Sequence, residues 1–199
     1  RCVHAALAQA QQVVVVDNAS SDSSVLNLES EFSLENRLCI IRSESNIGFA
    51  AGCNKGLNAA TQPYILFLNP DCMLQSGTLK HLVQVLASDS NIGMVGGYLT
   101  NPDGSEQGGG RRAIPSPWRA FVRAFGLYHL EKYWPKIFFD FHLHKQPLPQ
   151  ESIEVEAISG ALMLVRREAI EDVGVWDEGY FLHCEDLDWC MRFKKKNWK

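Results

Sequence analysis

Short apolar runs that alternate with helix-compatible stretches predict an α/β domain with a mostly parallel central sheet flanked by helices. Two observations carry this. Residues 13–16, Leu38–Arg42, Tyr64–Leu68 and 92–99 are compact apolar segments of strand length. Several end directly on polar residues, as at Asp17, at Asn69-Pro70-Asp71 and in the segment that closes on Glu185-Asp186. Open α/β sheets bind ligands beyond the carboxyl ends of their strands, so those three places are where chemistry is expected. A chain of 199 residues suffices for one sizeable core.

In chain order, Val3, Ala6, Leu7 and Ala10 follow helical spacing over residues 2–11. Val13 to Val16 form a β-branched run suited to a strand buried on both faces. The Asn-, Asp- and Ser-rich stretch 18–24 makes a turn and caps a helix near 24–33, before a second strand at Leu38–Arg42. Residues 49–60 read as helix, and Tyr64–Leu68 as the third strand. Ser76-Gly77 opens a helix over 77–88, and 92–99 forms the fourth strand. The Gly-rich loop 101–110 leads into a less regular insertion at 111–150. Residues 153–158 and 161–165 are strand-like, and helices follow near 167–173 and 185–196. The expected organisation is one domain over 1–199, with a nucleotide-binding part (1–100), a loop and helical insertion (101–150) and an acceptor or catalytic part (151–199).

Composition narrows the classes. A formal net charge of −4 gives no global reason to expect a nucleic-acid partner. No apolar run approaches the roughly 20 residues of a membrane span. The six cysteines show no C-x-x-C spacing and read as small core thiols of a reducing cytosol. The chain starts at Arg1 and stops within the basic run 194–199, so it reads as a piece of a longer protein.

Each polar segment admits two readings. Asp17-Asn18-Ala19-Ser20 either meets a nucleotide base or ribose, or builds the turn and cap. Asn46 to Gly56 lies on a loop entering a helix, where Gly48 and Gly52 permit close backbone approach to a ligand or to neighbouring packing. It matches neither G-x-x-x-x-G-K-[ST] nor G-x-G-x-x-G. Asp71 either begins a turn or anchors a divalent cation, since Mg and Mn often use one or two carboxylates plus substrate phosphates. Glu185 and Asp186 are adjacent on a helix start and must do different work, whereas Asp188 and Arg192 stand four apart and form a structural ion pair.

Taken in order, Val16 to Asp22, Asn46 to Gly56, Leu68 to Asp71, Ser159-Gly160-Ala161, and Trp176-Asp177-Glu178 through Asp188 resemble the motif set of glycosyltransferase family 2. The likeness is to its rhamnosyltransferase-type members on the GT-A nucleotide-sugar-binding fold. That resemblance implies a nucleotide-sugar site formed by Asp17, Asn18, Ser20, Asn46, Gly48, Asn54 and Asn69. It implies Mg or Mn at Asp71, and Asp186 as general base with Glu185 as its neighbour or substitute. Trp176, Asp177 and His183 fall on the acceptor side. Asn69 stands where a full DxD motif has its first acid, His183 where such proteins often carry Tyr, and the family's first strand is absent from this sequence. The implied reaction is metal-dependent, inverting hexosyl or rhamnosyl transfer from a nucleotide-diphosphate sugar to a saccharide or lipid-linked saccharide. It belongs to bacterial cell-surface polysaccharide synthesis, in the cytoplasm or at the cytoplasmic face of the inner membrane. The alternatives are an inactive sugar-nucleotide-binding or scaffold domain of the same fold, and a nucleotidyltransferase.

The insertion sets Trp118, Phe121, Phe125, Tyr128, Tyr133, Trp134, Phe138, Phe139 and Phe141 beside Arg119, Arg123, Lys132 and Lys136. Packing of these aromatics on the sheet, or into a protein interface, is the favoured expectation. Peripheral contact with an anionic membrane through 118–141 is the other.

Overall fold

The computed structural model describes residues 1–199 apart from 115, 135, 136 and 139–146, so Lys136, Phe139 and Phe141 of the insertion lie outside the described residues. After helix α1 (Cys2–Leu7), strands β1 (Val13–Asp17) and β2 (Leu38–Arg42) pair in parallel around helix α2 (Ser24–Glu31). Their register sets Asp17 opposite Arg42 at the carboxyl end. Helix α3 (Phe49–Ala59) leads to β3 (Tyr64–Leu68), and helix α4 (Thr78–Ser88) to β4 (Met94–Gly96). Beyond the loop come β5 (Arg111–Arg112), α5 (Pro117–Ala124), a 3₁₀ turn at Leu127–Lys132, β6 (Ala157–Ile158), β7 (Leu162–Arg166), α6 (Arg167–Val173) and α7 (Glu185–Lys195).

The α/β class holds, but the expectation of mostly parallel pairing requires correction. β7 lies between β3 and β4 and runs antiparallel to both. β3 and β4 therefore point the same way, with α4 as their crossover, as the strand–helix alternation implies. The strand inserted between them arrives after a long excursion, and no helical crossover obliges it to be parallel. β5 and β6 add a short antiparallel pair.

β7 explains how the core is built. Leu162, Met163, Leu164 and Val165 are all buried. Alternate side chains of a strand face opposite ways. Met163 and Val165 join Ile65, Phe67, Trp176, Trp189 and Phe193 on one side. Leu162 and Leu164 meet Leu82, Leu86 and Leu99 on the other. Trp176 and Trp189 pack with ring centroids 4.2 Å apart, and Trp189 Nε1 donates to the Gly174 carbonyl at 2.8 Å.

Two further expectations change. Trp118, Phe121, Phe125, Tyr133 and Trp134 are exposed, not packed on the sheet. Among the cysteines, Cys190 is buried, whereas Cys39 and Cys184 lie on the surface. The Asp188–Arg192 ion pair is present at 2.7 Å.

Candidate functional site at the sheet end

The carboxyl end of β3 carries Asn69 and Asp71. The Asn69 N–H donates to the Ala161 carbonyl at 2.9 Å, fastening this end to the Ser159-Gly160-Ala161 turn that precedes β7. From the same turn, the Gly160 N–H donates to an Asp186 carboxylate oxygen at 3.2 Å. A Cβ at Gly160 would stand 3.5 Å from the Asp186 Cβ, an ordinary contact distance, so α7 begins directly beside the turn. Asp71, far away in sequence, and Asp186 are thus tied to one structural corner. Asp71 is exposed, and among the described residues no salt bridge holds it.

The adjacent acids part company. Glu185 is only 7% exposed and turns inward, where one carboxylate oxygen finds no hydrogen-bond partner among the described residues. Its charge helps push the nearby Cys53 thiol up to about 12, although burial of that thiol is the larger cause. Asp186 stays partly accessible and also accepts from the Leu187 N–H. Its principal partner is the Arg112 guanidinium, which reaches it from β5 and also donates to the Ile158 carbonyl at 3.0 Å. Arg112 escaped the reading of the sequence. Its loop carries no motif, and a second arginine stands beside it; only the spatial return of β5 to α7 marks it.

The segment before α7 is strained. His183 and Cys184 both adopt positive φ, at 71° and 68°. Consecutive non-glycine residues in that region cost conformational energy, and such strain collects at functional sites. Phe181 and Leu182, immediately before them, are exposed. His183 thus lies in a strained, open loop next to the acids, and Asp177 is exposed beside it, with its carboxylate accepting from the Gly179 N–H at 2.9 Å. Trp176, placed on the acceptor side by resemblance, is instead 1% exposed in the core, where it meets Phe49 and Phe67 edge-on. Its large ring is worth more as core volume than as a ligand platform there.

On the β1 side the residues knit the loops together. Asp17 accepts from the Ser20 N–H at 3.0 Å, and hydrogen bonds from Ser20 hold its carboxyl below the usual carboxylate range, with Arg42 adding to the effect. The Asn18 amide donates to the Asn46 side-chain oxygen and to the Gly48 carbonyl, and accepts from the Ile47 N–H. Gly48, at φ 87°, is required by the packing of the loops, since a Cβ there would stand 2.7 Å from the Phe181 carbonyl oxygen. Asn54 is buried; its amide donates to the Trp176 carbonyl and to Glu178, and accepts from the Trp176 N–H. Asn18, Asn46 and Asn54 therefore brace α3 against its neighbouring loops, while Ser20 and Asn46 lie at the exposed rim.

Among the described residues no three His, Cys, Asp or Glu side chains gather into a cation site. A lone exposed carboxylate at Asp71 still fits a cation that draws its other ligands from a diphosphate and water, the habit of Mg and Mn.

Open α/β sheets bind ligands beyond the carboxyl ends of their strands, and here the segment after β3 and the start of α7 meet at one turn. The Glycosyl transferase family 2 model matches residues 1–174, and the chain belongs to that family. It is 25% identical over 197 residues to the N-acetylglucosaminyl-diphospho-decaprenol L-rhamnosyltransferase of Mycobacterium tuberculosis, covering 94% of this chain and 62% of that protein. It is 28% identical over 137 residues to rhamnosyltransferase WbbL of Escherichia coli, covering 67% of this chain and 46% of the relative. The chain thus spans less than two thirds of either protein. Among solved structures, the mannosyltransferase PcManGT of Pyrobaculum calidifontis, in complex with GDP-Man and Mn2+, superposes with a TM-score of 0.60 at 18% identity, over 94% of this chain and 44% of that one. GalNAc-T7 with UDP, GalNAc and Mn2+ gives 0.65 at 16% identity, over 96% and 37%. Those likenesses establish the GT-A-like fold.

Proposed function

We propose that this chain forms the catalytic part of an inverting glycosyltransferase that moves a sugar from a nucleoside-diphosphate donor to a hydroxyl of a saccharide or lipid-linked saccharide. The observation that carries the reading is the corner where the Ser159–Ala161 turn grips both the Asn69–Asp71 segment and Asp186. The rhamnosyltransferase relatives support hexosyl or rhamnosyl transfer in cell-surface glycan synthesis, and a lipid-linked acceptor.

Asp186 serves as the base. It is the accessible member of the acid pair, and it accepts the proton of the attacking acceptor hydroxyl. Glu185, being buried, sets the start of α7. Asp71 would hold Mg or Mn together with the donor diphosphate, and the cation would offset the charge left on the departing nucleoside diphosphate. Asp17 and Ser20 lie where the nucleoside would sit, and Asp177 and His183 border the acceptor side. A single base acting opposite the leaving group gives inversion at the anomeric carbon.

In the complete protein, Asp186→Asn is expected to remove transfer while calorimetry still detects donor binding. Transfer at the unsubstituted rate would overturn the assignment. Donor binding without transfer in the unsubstituted protein would favour the scaffold reading.

A further inference from the structure

Helix α5 is strongly amphipathic, yet among the described residues Trp118, Phe121 and Phe125 of its apolar side stay exposed. Only Val122 enters the core. Trp118 stacks on Phe121 with ring centroids 5.6 Å apart, and Phe121 meets Phe125 at 4.5 Å, so the rings form one continuous layer. Trp134 and Phe138 extend it, and Phe125 and Tyr133 are each 68% exposed. Isolated surface aromatics need no explanation, but a contiguous, self-packed patch marks an interaction site.

Charge selects the partner. Arg111, Arg112 and Arg119 are held by Glu106, Asp186 and Glu156, so the charge beside the aromatic layer comes from the exposed lysines of α7. The exposed Lys194 and Lys195 of α7 line a groove of about 620 Å³ together with Trp118, Ile137 and Met191. Trp and Tyr beside Lys and Arg match the headgroup zone of a bilayer, where aromatic rings sit at the water boundary and cations meet lipid phosphates.

We propose that this face, centred on Trp118, Phe121 and Phe125 and rimmed by Lys194 and Lys195, docks the protein on an anionic phospholipid surface. The seat is rigidly connected to the sheet. Arg119 pairs bidentately with Glu156, which also accepts from the Ile114 N–H. Helix α7 runs from Asp186 to the lysines of the groove, about 12–14 Å along its axis. Docking would therefore hold the sheet-end site at a fixed height above the lipid. The inference stands on the patch itself and does not depend on glycosyl transfer.

The test is co-sedimentation of the protein with phosphatidylcholine vesicles containing increasing phosphatidylglycerol. Binding is expected to rise with the anionic fraction and fall with added salt. Phe125→Ser should weaken it roughly tenfold, as expected when one aromatic no longer buries its surface. A Lys194→Glu, Lys195→Glu double variant should remove the salt-sensitive part, and both variants should keep the circular dichroism and thermal unfolding of the unsubstituted protein. No binding to phosphatidylglycerol-rich vesicles would overturn the proposal, as would binding indifferent to both variants. A concentration-dependent dimer in sedimentation, lost in Phe125→Ser and without vesicle binding, would replace the lipid with a second copy of the chain.

Discussion

Arg112 of β5 reaches across 74 positions of sequence to form an ion pair with Asp186 at the start of α7. When Asp186 takes a proton during transfer it becomes neutral, and the guanidinium is left beside the reacting corner. Arg112 is thus a positioning residue for the proposed base. Arg112→Met is expected to lower kcat by roughly tenfold to a hundredfold, with the donor dissociation constant nearly unchanged. Arg112→Lys should recover part of the loss, since it restores the charge but not the planar fork that also reaches the Ile158 carbonyl. Steady-state kinetics with separate donor and acceptor titrations would separate these effects.

Asp71→Ala should abolish the Mn-dependent part of nucleotide affinity, a loss of about tenfold or more. Metal-free binding should be untouched. Calorimetry with and without Mn measures both, and equal affinities for the two proteins would end the assignment.

Gly48→Ala should cost about 1–3 kcal/mol, because φ 87° with ψ 171° is a region that essentially only glycine occupies. The added methyl would also press on the Phe181 carbonyl and break the hydrogen bond it accepts from the Phe49 N–H. Thermal unfolding reads the cost, and proteolysis near 181–184 reads the loosening of the loop before the acids.

Burial pushes the Cys53 thiol up to about 12 and the Cys190 thiol up to about 11. At pH 8 both stay protonated in the folded chain, so iodoacetamide should label the exposed Cys39 and Cys184 first. Cys53 and Cys190 should react only after denaturation. The same shifts have a sign for stability. Above the ordinary thiol value of 9.0 the unfolded chain releases these protons while the folded chain keeps them. Stability should therefore fall from about pH 9 toward pH 11–12.

Strands β1, β2 and β3 were legible because each is a short apolar run ending on a polar residue, and the helices because their apolar positions recur with period 3.6. The site was legible in part. Asp71 and Asp186 sit beside elements that the sequence marks clearly. Antiparallel insertion of β7 was not legible, since a strand buried on both faces carries no record of its neighbours' direction. Trp176 misled for a related reason: its neighbours Asp177 and Glu178 are polar, yet its own ring belongs to the core. The packing roles of Asn54 and Gly48 were not legible, because the residues that hold a loop in place are the same types that hold a nucleotide. Which service each performs depends on the partner, and Trp176 and Phe181 lie more than a hundred positions downstream.

The place of β7 between β3 and β4 also fixes an order of events. Leu68 pairs with Leu162, so the three-stranded sheet closes only after the long intervening stretch has been synthesised. Contacts so distant in sequence form slowly, because loop closure precedes any return from burial. Until then β3 and β4 have exposed edges, and the turn that joins Asn69 to Asp186 does not exist. A ribosome-bound chain shorter than β7 would hold Asp71 without its corner. Protection of β3 and β4 in nascent chains should therefore appear only once β7 has emerged, and Asp186 should join the turn later still, when α7 follows.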